Sequence, residues 1–295
     1  MDMVGKLPAE LPASLFVVVH QSPVFPSILP ELLTRRGPLR ATHPLHDESI
    51  AHGRIYVAPP DNHLLIHDGK MGVVRGAREN GHRPAADALF RTAAAARGSR
   101  VIGVVLSGYQ DCGTAGMMSI KARGGLAVVQ DPESAEVPEM PRSVVEHVKV
   151  DYVVPPADIA GLLVRLVATP AGPTPLPEKD IRQLEGQELG APVELVCPIC
   201  HGVLTEAAPG LFEHFRCHVG HAFSLESLAR EQDEELERAL WSAERALEET
   251  AALSLRISSR EKGPLQERLA EKAATQAQQA DLIKDILLNG FKTKP

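Results

Sequence analysis

Two groups of residues have the types and spacing to do chemistry. Cys197-Pro-Ile-Cys200 is followed, after sixteen intervening residues, by Cys217-His-Val-Gly-His221. A C-x2-C pair can hold two corners of a tetrahedron from one tight turn, and a C-x3-H pair supplies the other two from a second knuckle. The pattern reads as a zinc knuckle with Cys197, Cys200, Cys217 and His221 as ligands, although His201, His214 and His218 also stand near the fourth place. Four protein ligands leave no open position, so this zinc would be structural; no organic cofactor is expected. Gly202 and Gly220 fall where knuckle backbones need unusual dihedrals. His46-Asp-Glu48 matches one half of a deaminase zinc signature, but VCPIC has no proline before its first cysteine, so a catalytic zinc is not expected.

The second group centres on His20, which closes the apolar run VVVH. Another apolar run, VIGVVL, ends in the polar, glycine-rich turn SGYQDCGTAG, which carries Asp111 and Cys112. In an open α/β sheet, residues just past the carboxyl ends of the strands line the ligand crevice. A histidine and an acid meeting there are two members of a hydrolytic triad. Cys112 is a chemically possible nucleophile but sits on the orienting side of the base. Ser22 and Ser27 follow His20 and lack the strand-to-helix elbow that exposes a nucleophile.

The elements that must position these residues read as follows. Strands are expected at 15–19, 54–57, 101–106, 126–129 and 152–154, and their apolar runs lack polar alternation, as suits parallel strands covered on both faces. Helices are expected between them, at 27–35, 84–97, 114–123, 141–147 and 157–167. Strand then helix, repeated, argues for an open α/β sheet over residues 1–167. Residues 168–193 begin with the proline-rich ATPAGPTPLPEKD and read as an exposed linker, followed by the knuckle at 194–224 and a helical tail at 225–295. In the tail, Leu240, Leu247, Ala273, Ala280, Ile283 and Leu287 recur at helical spacing, and Gly263-Pro264 breaks the helix. A helical hairpin or an oligomeric coiled coil would bury these stripes.

With 44% hydrophobic and 23% charged residues, the composition is that of a globular chain and excludes a fibrous or wholly disordered one. No apolar run approaches the roughly 18 residues that span a bilayer, so membrane insertion is not expected. The N-terminus, MDMVGKLPAELPAS, lacks the features of a secretory signal, and a cytoplasmic location is expected. The net charge of −7 argues against nucleic acid as partner. Four cysteines are too few for a disulfide framework in a chain of 295 residues.

Five segments in order, VVVHQSP, GRIYVAPPDNHLL, ENGHRPAADALF, GVVLSGYQDCGTAG and VVQDPESAEVPEMPRSVVEHVKVDYVV, resemble the CheB-type chemotaxis methylesterase catalytic domain. The resemblance spans about residues 7 to 167. It implies a doubly wound, mostly parallel sheet and hydrolysis of glutamyl methyl esters on methylated chemotaxis-type receptors by a Ser-His-Asp triad. His20 matches the family's general base. His63, His82, Arg83, Met140 and Arg142 match family positions and, with Tyr109, are candidates for the substrate groove. The knuckle and tail resemble an appendage that some homologues carry in place of a receiver domain.

The departures concern the triad itself. The family's nucleophile serine stands in a G-A-S-x-G-G turn after a strand that precedes the matched segment, and the 295 residues contain no such turn. Residues 1–14 have the character of the end of the helix after that turn, so the N-terminal strand of the fold is expected to be missing and Met1 to lie inside a family helix. The triad aspartate stands before a glycine in the family; here Cys112 precedes Gly113, and Asp111 is one residue early. Tyr109 replaces a methionine, and Glu139 replaces the glycine of the G-M-P-R turn. The expected function is therefore methylesterase if an upstream serine segment exists. The alternatives are an inactive homologue acting as a receptor-binding or scaffolding module, and a zinc-knuckle and coiled-coil adaptor that oligomerises through its helices.

Overall fold

The computed structural model describes residues 2–169, 175–178, 181, 189–207 and 212–289. The chain forms two compact units, residues 1–228 and 229–295.

In the first unit the expected strands and helices all form. Strands β1 (Ser14–Val17), β2 (Arg40–Thr42) and β4 (Arg54–Val57) make a parallel sheet in the order β1-β4-β2. Strands β7 (Ile102–Val105), β8 (Leu126–Gln130) and β9 (Tyr152–Val154) make a second parallel sheet in that order. The parallel strands expected of an α/β fold form as two sheets, with β1 and β7 each an edge. Helices α1 (Asp2–Gly5), α2 (Leu29–Arg36) and α6 (Pro156–Val167) accompany the first sheet, where Val4, Leu7, Leu33, Ile55, Val57 and Ala160 share one core. Helices α3 (Ala86–Arg97), α4 (Thr114–Ala122) and α5 (Glu139–His147) supply the second core, with Ala94, Met117, Ile120 and Val144 against Val105, Ala127 and Val129.

Sequence periodicity missed an antiparallel hairpin, β5 (His63–His67) with β6 (Lys70–Val74), to which β3 (Glu48–Ser49) adds. Its turn is Asp68-Gly69, both at positive φ (43° and 78°), as a type I′ hairpin turn requires.

A fourth sheet, also antiparallel, comes from the Cys/His segment: β10 (Leu189–Val196), β11 (Val203–Ala207), β12 (His214–Cys217) and β13 (Ala222–Ser224), in that order. Strand β10 begins inside the stretch read as a linker, most of which lies outside the described residues. The module has its own small core of Cys197, Leu204, Phe215, Cys217, Phe223 and Leu228, yet it belongs to the same compact unit as the α/β part. The Ala222 N–H donates to Arg78 O (3.2 Å), the Asn80 N–H donates to Ala222 O (2.7 Å), and the Phe212 ring meets His147 edge-on at 5.1 Å.

The long helix Leu225–Ser258 leads into the second unit, and Gly263 (φ +72°) turns the chain into the final helix, Pro264–Asn289. Within that unit Ala251, Ala273 and Ala280 are buried, Gln276 meets Thr250 (3.1 Å) and Ser254 (3.4 Å), and Lys284 lies 3.7 Å from both Glu244 and Glu248. This is a helical hairpin. No helix among the described residues is long and apolar enough to cross a membrane.

Candidate functional site

His20 follows β1 at the carboxyl end of its sheet, and its ring stacks on His82 with centroids 3.8 Å apart and planes 16° from parallel. His82 is held by a tight turn whose Glu79 and His82 exchange backbone hydrogen bonds (3.1 and 2.9 Å), with Asn80 and Gly81 at positive φ. Arg83, also expected in the groove, is a tie: it donates to Asp61 Oδ1 through Nε (2.9 Å) and Nη2 (2.5 Å) and to Gly76 O through Nη1 (2.6 Å). His63, expected there too, lies in the interior instead. Its Nδ1 accepts from the Ala85 N–H (3.3 Å), so its Nε2 carries the proton and donates to Ala77 O (2.8 Å). Burial pushes its pKa down, which keeps this neutral form. Tyr109 and Arg142 are exposed, whereas Met140 packs against the cluster of Ala85, Ala86 and Cys112.

The loop between β7 and α4 is fixed from three sides. Gln110, at φ 65°, donates its N–H to Glu139 Oε2 (2.7 Å), so the glutamate that departs from the family's glycine supports the loop. Met140 N–H donates to Gly108 O (3.0 Å). Asp87, at the start of α3, accepts from the N–H groups of Gly113 (3.0 Å) and Gly116 (2.6 Å) and from Asn80 Nδ2 (3.0 Å). Gly116 permits this approach, since a Cβ there would lie 2.6 Å from Phe90 Cβ. Burial raises the Asp87 pKa to about 6, against the two amide donors that lower it. Neither Asp87 nor Asn80 was singled out from sequence; an acid in the apolar stretch PAADALF was the available signal.

The two acid candidates differ sharply. Cys112 is fully buried, its Sγ accepts from the Ala86 N–H (3.3 Å), and burial pushes the thiol well above its ordinary pKa. A neutral thiol supplies neither a carboxylate's charge nor a nucleophile. Asp111 is 4% exposed, and neither oxygen accepts a well-aligned hydrogen bond among the described residues. Burial raises its pKa to about 6; the groups acting on it include Ser224, Glu226 and His147, which places it toward the Cys/His module.

In that module, Cys197, Cys200, Cys217 and His221 offer ligand atoms that all lie within 4.8 Å of one another. Cys200 Sγ is 3.6 Å from Cys217 Sγ, and His221 Nδ1 is 3.6 and 3.5 Å from the sulfurs of Cys197 and Cys217. Tetrahedral zinc with Zn–S near 2.3 Å sets its sulfurs about 3.8 Å apart, so the cluster fits that ion. Of the two knuckle glycines, Gly220 has φ +103°, as expected. In the first knuckle the positive φ belongs to His201, and Gly202 serves close approach: a Cβ there would lie 2.6 Å from the His218 ring.

Comparison with known proteins bears on the first 163 residues, which match the family model described as CheB methylesterase. A protein-glutamate methylesterase/protein-glutamine glutaminase 2 from Methanosarcina mazei is 31% identical over 173 residues, covering 56% of this chain and 47% of that protein. A protein-glutamate methylesterase/protein-glutamine glutaminase from Pyrococcus abyssi is 33% identical over 166 residues, covering 55% and 45%. A Leptospira interrogans protein whose name carries the same two activities is 48% identical over 120 residues, 40% of this chain and 62% of that one. The chain thus spans less than two thirds of the length of these relatives. Among solved structures, the Thermotoga maritima CheB methylesterase catalytic domain superposes with a TM-score of 0.54 at 34% identity, over 56% of this chain and 90% of that one.

Proposed function

The chain belongs to the CheB methylesterase family, and from that premise we propose that its α/β part carries the base side of a protein-glutamate methylesterase site acting on methylated, chemotaxis-type receptors. The observation that carries this reading is His20 at the carboxyl end of a parallel strand, stacked on His82, in the segment that matches the family. His20 takes the proton of the attacking hydroxyl and returns it to the leaving methoxide, so methanol departs and water then frees the glutamate. With an amide in place of the ester, ammonia leaves by the same steps, which is the second activity in the relatives' names. The attacking serine must come from a G-A-S-x-G-G turn that the 295 residues do not contain.

A second reading is favoured by the acid position. Cys112 is a neutral thiol and Asp111 lies toward Ser224, so a module that binds receptor without turnover is consistent with this loop. Methanol release from a methylated receptor fragment separates the two. The chain as given should show no triad-dependent turnover. Preceded by a serine-bearing turn and carrying Cys112→Asp, it should exceed the Cys112 form by about a hundredfold, given the size of the orienting effect. Robust release by the chain as given that survives His20→Ala would overturn the triad, and receptor binding without release from any form would leave the scaffolding role.

Cys197, Cys200, Cys217 and His221 would hold one structural zinc, which supplies a cross-link for the module's knuckles. Elemental analysis of protein purified without added metal tests this. The expected setting is the cytoplasm, where receptor segments would be met, and self-association through the exposed Leu253, Leu282 and Leu288 of the hairpin is checked by sedimentation.

A further inference from the structure

Between the Cys/His module and the loop bearing Asp111 runs a buried relay of two residues, Asn80 and Asp87. Asn80 Oδ1 accepts from the Ser224 N–H and from the Ser227 hydroxyl, both at 3.0 Å. Asn80 Nδ2 donates to Asp87 Oδ2 (3.0 Å), and that same oxygen accepts from the Gly113 N–H (3.0 Å) while Asp87 Oδ1 accepts from Gly116 (2.6 Å). Asn80, Asp87, Ser224 and Ser227 are 3%, 1%, 0% and 0% exposed. Water cannot replace these bonds at such sites, so a lost partner leaves a buried polar group unsatisfied. The module's end of this relay is adjacent to the metal cluster: Ala222, next to His221, trades backbone bonds with Arg78 and Asn80 before Ser224 reaches the Asn80 side chain.

We propose that Asn80 is a positioning residue of the esterase site, through which the metal-closed Cys/His module holds the Asp111–Gly116 loop in register. The inference rests on the reading of Cys197, Cys200, Cys217 and His221 as a zinc site. Coupling of this kind is reciprocal: if metal binding orders the loop, then loosening the loop's anchor must weaken metal binding. A contact of equal strength with and without metal predicts no such exchange.

The test uses the full chain and zinc alone. Zinc affinity is measured by competition with a chromophoric chelator in the unaltered chain and in Asp87→Asn, Asn80→Asp and the milder Ser227→Ala. Lys121→Ala serves as control; it removes the ion pair to Asp151 at the far end of α4 (2.6 Å) and lies outside the relay. Asp87→Asn and Asn80→Asp should weaken zinc on the order of tenfold, within the usual span of coupling between sites, Ser227→Ala less, and Lys121→Ala not at all. Amide exchange at Gly113 and Gly116 should quicken when the unaltered chain is stripped of zinc, and should lose that response in Asn80→Asp. Unchanged zinc affinity in all relay variants, or exchange at Gly113 and Gly116 indifferent to zinc, overturns the proposal while leaving the metal site intact. Failure of the unaltered chain to bind zinc overturns the metal reading and the proposal with it.

Discussion

The two neighbours Asp111 and Cys112 show how one residue of register decides chemistry. Cys112 stands just before Gly113, where the family resemblance would put the triad acid, yet full burial among Val18, Ala85, Ala86 and Met140 keeps it a neutral thiol. It should resist alkylation in the folded chain and react only on unfolding, as site-resolved mass spectrometry would read; rapid native labelling would show the pocket open. Asp111 retains a carboxylate but holds it buried without a well-aligned partner, at a pKa of about 6. A carboxyl whose pKa is raised on folding binds more protons in the folded than in the unfolded state. Its contribution therefore favours the fold at low pH and declines as pH rises from about 4 to about 6. Asp111→Asn should accordingly raise stability above pH 6 by about 1–3 kcal/mol, with the gain vanishing near pH 4. Urea unfolding at about pH 4, the lower end of that window, and at about pH 8, above it, measures the difference. A destabilised variant at the upper pH would mean that Asp111 has a charged role in the fold.

At the scale of elements, the helical hairpin is built on small residues. Ala251, Ala273 and Ala280 let the two helices of the second unit approach, with Gln276 bridging Thr250 and Ser254 and Lys284 near Glu244 and Glu248. A larger side chain in this seam has nowhere to go without separating the helices. Ala273→Leu should cost about 1–3 kcal/mol through overpacking, seen as a lower midpoint in thermal unfolding followed by helical circular dichroism. Thr275→Ala, at an exposed position of the same helix, should leave the midpoint nearly unchanged. Equal effects from both would mean the seam does not pack as described.

For the first unit as a whole, the decisive feature is that the Cys/His module is not a separate appendage. The proline-rich stretch suggests independent cores, but Arg78–Asn80 takes up Ala222–Ser224, and Glu79 and Arg91 form a bidentate pair (2.6 and 3.1 Å) on the side of Arg216 and His214. Burial, aided by Arg216, pushes the His214 pKa down to about 4 and keeps that imidazole neutral at pH 7. Zinc removal or Cys217→Ser should therefore lower the unfolding temperature of the α/β part as well as the module. For a unit of 228 residues, each kcal/mol lost shifts the midpoint by about 2–4 °C. Scanning calorimetry with and without chelator reads this, and an α/β transition that ignores the metal would restore the picture of separate cores.

Much of this was legible in the sequence. The apolar runs at β1, β4, β7, β8 and β9 mark strands, although the burial expected on both faces holds for β4 and β8 and not for β1 or the largely exposed β9, and Gly263-Pro264 breaks a helix by backbone sterics alone. The C-x2-C and C-x3-H spacings bring ligands together locally, because each pair closes within one turn. Asp68-Gly69 carried a hairpin signal too, one that apolar periodicity overlooks. What sequence could not supply was the destination of polar side chains that meet across long separations. His63 and Arg83 share their segments with groove-forming motifs, but the tertiary structure turns both inward, to Ala77 and Asp61. Asn80 and Ser224 are 144 residues apart, and nothing local in either predicts their bond. Hydrophobic pattern and ligand spacing act along the chain and can be read from it; desolvation and buried hydrogen bonding depend on which distant atoms share a site, and only the folded structure decides that.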